Sequence, residues 1–213
     1  MRVLELFSGT GSVGKCCESL GYEVVSVDMI LPATHNVDIM NFDYKQYPKN
    51  HFDIVWASPP CIYYSKLQDC NFGREVAKGE YKGEMRCREL NNKQMDDADK
   101  LVLKSLEIIE YFNPHWWYIE NPQTGRLKER EIMKGLPFHD ADYCRYSDWG
   151  YRKRTRFWTN REDLEMKKCN GVCGNMFGGR HIVSCDGGKS DLVGTTQKER
   201  YRIPPDVIYE LIC

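Results

Sequence analysis

Val3-Leu4-Glu5-Leu6-Phe7-Ser8-Gly9-Thr10-Gly11-Ser12-Val13-Gly14 reads as a strand that runs into a glycine-rich turn and then into a helix. Val3, Leu4 and Leu6 supply the apolar run, and Gly9 and Gly11 permit both left-handed backbone and close approach to a ligand. Beyond the turn, Val13, Cys16, Cys17 and Leu20 share one side of a short helix, with Gly21 as its C-terminal stop. A second strand, Glu23-Val24-Val25-Ser26-Val27-Asp28, ends in an acid. It lies about 20 residues past the turn, where doubly wound folds place a ribose-binding carboxylate. Turn and acid together point to an adenosine-containing cofactor. The competing reading of Asp28 is a simple turn former.

Three further segments carry chemistry. Phe52-Asp53-Ile54-Val55-Trp56-Ala57-Ser58-Pro59-Pro60-Cys61 is an apolar run that stops at two prolines and a thiol. The prolines end the strand and fix the direction of the next residue, which makes Cys61 a candidate nucleophile. Its plainer reading is a buried structural cysteine. Trp116-Trp117-Tyr118-Ile119-Glu120-Asn121-Pro122 is another apolar strand, closed by an acid, an amide and a proline. In Tyr151-Arg152-Lys153-Arg154-Thr155-Arg156-Phe157-Trp158, Arg154 and Arg156 alternate and would share one face of a strand.

In this order, Phe7-Ser8-Gly9-Thr10-Gly11, Ser58-Pro59-Pro60-Cys61, Glu120-Asn121-Pro122 and Arg154-Thr155-Arg156 resemble the DNA cytosine-5 methyltransferases, which use S-adenosylmethionine. The resemblance covers most of residues 1–160. The chain departs from the usual pattern at Ile62, Pro122 and Arg152, and it leaves little room for a full target-recognition domain. The resemblance implies a Rossmann-like α/β fold, a mostly parallel twisted sheet with helices on both faces. It implies a cofactor site lined by Phe7, Ser8, Gly9, Thr10, Gly11, Asp28, Asp38 and Pro59, with a C-terminal segment completing the pocket. The plain reading of Asp38 is a surface acid.

The implied reaction begins with a thiolate, the reactive form of cysteine, adding to C6 of cytosine. Cys61 would supply it, Glu120 would serve N3, and Asn121 would hold the local turn. Arg154 and Arg156 would hold the base oxygen, a phosphate or the thiolate, because guanidinium forks suit such acceptors. The base must be flipped out to be reached, with Tyr63, Tyr64 or Ser65 as candidate lining residues. Two other readings remain: cytosine-5 methylation of RNA, and an inactive or partner-dependent nucleic-acid-binding protein of the same fold. An exocyclic-amine methyltransferase fits less well, because an aromatic residue would be expected after the two prolines.

A chain of 213 residues suits one main domain. Thirty Lys and Arg balance 31 Asp and Glu, so any DNA contact must come from local basic patches rather than global charge. No apolar run reaches transmembrane length and no signal peptide precedes the first strand, which predicts an intracellular location, cytoplasmic or nuclear. Ten cysteines in that context read as free thiols in a reducing compartment.

Residues 62–95 are polar and without period, with Lys66, Arg74, Lys78, Lys82, Arg86 and Arg88 among Tyr63, Tyr64, Phe72 and Tyr81. Such interleaving suits phosphate contact and base stacking and predicts a catalytic loop that orders on DNA. An amphipathic helix is expected over 93–112, a shorter one over 128–134, and strands over 140–146 and 154–158. Catalytic residues thus fall within 1–160. Residues 161–198 change to glycine-rich, charged sequence and are expected to be a reduced recognition region. There Cys169, Cys173, His181 and Cys185 have spacing compatible with one structural zinc, or are plain loop residues. A Pro-started helix over 199–213 is expected to pack back on the domain.

Overall fold

β1 (Arg2–Leu6) is flanked by β2 (Glu23–Val27) on one side and β3 (Ile54–Ala57) on the other, both parallel to it, in a computed structural model that describes residues 1–185 and 193–213. β4 (Trp116–Pro122) runs parallel beside β3. β5 (Phe138–Asp142) and β6 (Arg154–Thr159) close the sheet with antiparallel pairs, in the order β2-β1-β3-β4-β6-β5. Both faces are apolar, as expected of parallel strands buried on two sides. Leu4, Leu6, Val55, Ala57, Ile119 and Trp158 enter one core. Val3, Ile54, Trp56, Tyr118 and Phe157 enter the other.

The first face is covered by the long helix α2 (Arg88–Phe112) through Val102, Ile108, Ile109 and Phe112. The second is covered by α1 (Ser12–Ser19) and the terminal helix α4 (Pro205–Ile212), whose Val207, Ile208, Leu211 and Ile212 pack with Val13, Cys16 and Cys17. Full burial of each such aliphatic side chain contributes roughly 1.5–3 kcal/mol, so α4 is held firmly. Tyr118 also donates from its hydroxyl to the Leu211 carbonyl. Pro204 and Pro205 start α4, and a short helix, α3 (Gln197–Tyr201), precedes it with a Thr196–Glu199 capping box.

Several elements differ from their sequence-based expectation. α2 begins at Arg88 because the Cys87 side chain caps it, accepting from the Leu90 N–H. It stops at Asn113, which takes the left-handed conformation before Pro114. The helix expected over 128–134 is two single 3-10 turns, Leu127–Glu129 and Glu131–Met133. Arg130 between them is extended, and its guanidinium is drawn to Asp96 and Asp99 of α2. The strand expected over 140–146 ends at Asp142 and becomes a 3-10 turn, Tyr143–Arg145.

The expected structureless stretch 62–95 is folded. Two 3-10 turns, Ile62–Tyr64 and Lys66–Asn71, lead into a Glu75–Met85 bridge and a small core of Val76, Tyr81 and Leu90. Residues 161–185 carry one small ladder, Met176–Phe177 against Arg180–His181, and Val183–Ser184 pairs with Val193–Gly194. Residues 186–192 of the expected recognition segment lie outside the described residues. No helix among the described residues is long and apolar enough to cross a membrane.

Candidate active site

β1, β3 and β4 point the same way, so their C-terminal ends open on one edge of the sheet. The chain steps from β1 out to β2 and then back to β3 on the other side, which makes that edge a topological switch point and the natural ligand crevice. The turn after β1 is built for close approach. Phe7, Gly9 and Gly11 all have left-handed backbone, at φ 56°, 52° and 66°. For Phe7 this conformation is costly, by about 1 kcal/mol or more, and such strain collects at ligand clamps. Gly14 sits over a buried carboxylate: a Cβ there would lie 2.8 Å from Glu5 Oε2, which accepts the Gly14 N–H at 3.0 Å.

Asp28 ties the crevice together. Its Oδ2 accepts the Gly9 N–H at 2.9 Å, and its Oδ1 accepts the N–H groups of Ile30 and Leu31, both at 2.8 Å. These are three of the roughly four acceptor positions of a carboxylate, so Asp28 is a turn former that retains about one position for a ligand hydroxyl. Met29 and Ile30 beside it are 62% and 80% exposed, an apolar shelf that the sequence pattern had not singled out. Asp38 caps the following turn by accepting the Met40 N–H. Thr10 and Ser12 hydroxyls pair at 3.0 Å.

Cys61 ends the turn after β3, half-buried. The Ser58 N–H donates to the Leu6 carbonyl, and Asn121 Nδ2 donates to the Pro59 carbonyl at 2.9 Å, so the Pro-Pro-Cys turn is tied to β1 and β4. Glu120 is buried on β4 and meets two partners at Oε1, the Tyr143 hydroxyl and Lys153 Nζ, each at 3.3 Å. Lys153 also donates to the Arg200 carbonyl at 3.1 Å and sits over the Tyr143 ring. Burial pushes the Cys61 thiol up; the Lys153 charge pulls it back and Glu120 adds to the rise. Burial alone would push Lys153 down, but Glu120 and Cys61 outweigh it and hold the ammonium above its ordinary value. A thiol, a carboxylate and a cation therefore act on one another at the mouth of the sheet.

No family model matches the chain. A protein of frog virus 3 (isolate Goorha) named "Probable DNA (cytosine-5)-methyltransferase" is 42% identical over 223 aligned residues, covering 100% of this chain and 99% of its own. The chain belongs to the DNA (cytosine-5)-methyltransferase family. A solved prophage-encoded protein of E. coli, assigned as a DNA modification methyltransferase, aligns with a TM-score of 0.49 and 14% identity over 75% of this chain. This chain spans 46% of the length of that structure.

For this methyltransferase, two of the expected catalytic residues lie on the other face of the sheet from Glu120. Glu120 shares a sheet face with Tyr118 and Phe157, whereas Arg154 and Arg156 alternate onto the opposite face with Trp158. Arg156 forms a fork on Asp140, with Nε and Nη2 at 2.7 and 2.9 Å, and stacks on Phe138. Arg154 is exposed. Lys153, not singled out in the sequence, takes the position beside Glu120. The alternation in the sequence was correct, but its phase relative to Glu120 was hidden, because Phe157 and Trp158 are both buried.

Other expected residues have structural partners. Tyr64 is fully buried and donates to Asp99, so it does not line a base pocket. Ser65 caps the next turn by accepting the Leu67 N–H, while Tyr63 remains at the surface. Cys169, Cys173 and His181 do come together, but the fourth member of their group is Cys144, not Cys185. The pairing of Val183–Ser184 with Val193–Gly194 carries Cys185 toward Lys153 instead. Cys144, distant in sequence, is delivered by the turn that follows β5.

Proposed function

We propose that the protein transfers a methyl group from S-adenosylmethionine to C5 of cytosine in DNA, through a covalent Cys61 adduct on a base flipped out of the duplex. The observation that carries this reading is the convergence of Cys61, Glu120 and Lys153 at the ends of β3 and β4. The family relationship supports the same reaction.

The crevice chemistry fits the cofactor. The Phe7–Gly11 turn offers close backbone, Asp28 retains acceptor capacity, and Met29 and Ile30 offer apolar surface. Bound there, S-adenosylmethionine supplies an electrophilic methyl on a sulfonium. Phe7, Ser8, Gly9, Thr10, Gly11, Asp28, Asp38 and Pro59 are the residues proposed to hold it.

The steps of the chain's own residues follow. Cys61, as thiolate, forms a bond from Sγ to C6, and the C5–C6 double-bond pair becomes available at C5. The Glu120 carboxylate takes up the proton that Cys61 releases and supplies it to N3, where negative charge develops. Lys153 favours the thiolate before attack and orients Glu120. Once C5 carries the methyl, a solvent water takes the C5 proton, the C–H electron pair restores the C5–C6 double bond, and Cys61 leaves as the thiolate. Asn121 holds the Pro-Pro-Cys turn through the Pro59 carbonyl. The exposed residues of 62–95 and the small segment 161–198 are proposed to contact DNA, with a protein partner assisting target choice.

Incubation with methyl-labelled S-adenosylmethionine and separate DNA and RNA substrates, followed by nucleoside analysis, tests the reading. Label in 5-methyldeoxycytidine supports it. Label only in RNA, or in an exocyclic amine, overturns it.

A further inference from the structure

Cys144, Cys169, Cys173 and His181 present three sulfurs and an imidazole nitrogen that all lie within 4.8 Å of one another. His181 Nε2 is 3.4 Å from Cys173 Sγ and 3.8 Å from Cys169 Sγ. A tetrahedral zinc with ordinary bond lengths would separate sulfur from nitrogen by about 3.6 Å and sulfur from sulfur by about 3.8 Å. We infer that these four residues bind one structural zinc ion. Thiolates with a single imidazole favour zinc over magnesium or calcium, and four protein ligands leave no open position for catalysis.

The surroundings hold the ligand backbones in place. The Cys169 N–H donates to Asp142 Oδ2 at 2.7 Å, and Arg152, itself paired with Asp142, donates to the Cys169 carbonyl at 3.0 Å. Asn175 is buried and donates to the carbonyls of Cys144 and Ser147 at 2.9 and 2.7 Å, while accepting the Gly150 N–H at 3.0 Å. Fixed partners of this kind orient ligands before a metal arrives.

The ligands also join parts of the chain that burial alone holds weakly. Cys144 sits at the end of the sheet, whereas the other three lie in a segment of short ladders and turns. Leu164 and Cys169 are among the few apolar side chains buried there, so a metal cross-link would contribute most of the local order. Cys144 follows Tyr143, whose hydroxyl donates to Glu120 and whose N–H donates to the Lys153 carbonyl at 3.0 Å. The zinc would thereby steady two groups that act on Cys61.

The test uses the full chain, purified without a metal-binding tag. Elemental analysis should give about one zinc per chain, falling to near zero in Cys144→Ser and staying near one in Cys185→Ser. Exchange with cobalt(II) should give the wild-type protein thiolate-to-cobalt charge-transfer absorption, a readout that does not depend on a variant folding. Zinc well below one per chain together with no cobalt–thiolate band overturns the site. So does a disulfide among Cys144, Cys169 and Cys173 in mass analysis of freshly prepared protein, or zinc lost in Cys185→Ser and kept in Cys144→Ser.

Discussion

Lys153 Nζ lies 3.3 Å from Glu120 Oε1, an ion pair whose side chains are only 12% and 9% exposed. A buried pair of this kind stabilises little by its formation, yet removing one partner strands the other. Its position near the proposed nucleophile gives it a functional account, since the Lys153 charge favours ionisation of Cys61.

Lys153→Met should therefore slow thiolate chemistry as well as weaken the fold. With the cation gone, the Cys61 thiol rises further, so its alkylation by iodoacetamide at neutral pH should slow and its pH profile should move to higher pH. Lys153→Arg should retain most of the wild-type rate. Stability should drop by roughly 3 kcal/mol in the Met variant, as expected for an uncompensated buried partner. Alkylation is followed at the Cys61 peptide by mass spectrometry. An unchanged pH profile in Lys153→Met would show that the cation serves packing alone.

Arg156 should behave differently. Its fork on Asp140 and its stacking on Phe138 hold β5 to β6 on the face away from Glu120. Arg156→Ala should cost about 2 kcal/mol in denaturant unfolding, the scale of charge-assisted hydrogen bonds plus a cation–π contact. The alkylation rate of Cys61 should change little. A large fall in that rate with stability intact would place Arg156 in the thiol's environment.

The parts of the site that were legible in the sequence are those in which local chemistry dictates structure. Gly9 and Gly11 read as a close-approach turn and adopt left-handed backbone, and Pro59-Pro60 ends β3 and delivers Cys61 at the crevice. The parts that were not legible depend on tertiary phase and distance. Arg154-Thr155-Arg156 alternates as a strand must, but neighbouring Phe157 and Trp158 are both buried, so hydrophobicity could not say which face meets Glu120. Residues 62–95 have no period because their order comes from a tiny core of Val76, Tyr81 and Leu90 and from hydrogen bonds such as Tyr64 to Asp99. Cys144 falls within the stretch 140–146 expected as a strand, and nothing local links it to His181.

A covalent intermediate should be trappable. DNA carrying 5-fluorocytosine cannot lose its C5 substituent as a proton, so attack by Cys61 should leave the protein attached after methyl transfer. The adduct should survive a denaturing gel, require S-adenosylmethionine and vanish in Cys61→Ser. Peptide mapping locates the bond. An adduct on any of the other nine cysteines would remove Cys61 from the nucleophile's role.

Glu5 gives a pH dependence with a definite sign. Its carboxyl is pushed up to about 7, first by burial, against the pull of the Gly14 and Val13 N–H groups. An ordinary carboxyl, such as this one in the unfolded chain, titrates near 4.5. Between these two values the folded protein holds more proton than the unfolded one, so stability falls as pH rises through this window and stays lower above it. The full penalty is on the order of 3 kcal/mol. Glu5→Gln keeps the shape and one acceptor while removing the charge, but loses the second acceptor, at a cost of ~1 kcal/mol. The variant should thus be more stable than wild type by about 1–2 kcal/mol at pH 8 and less stable at pH 4.5, where wild-type Glu5 is protonated in the fold. Urea unfolding at the two pH values measures both differences. Parallel stability–pH curves for the two proteins would show that Glu5 is already ionised beneath the Gly14 turn.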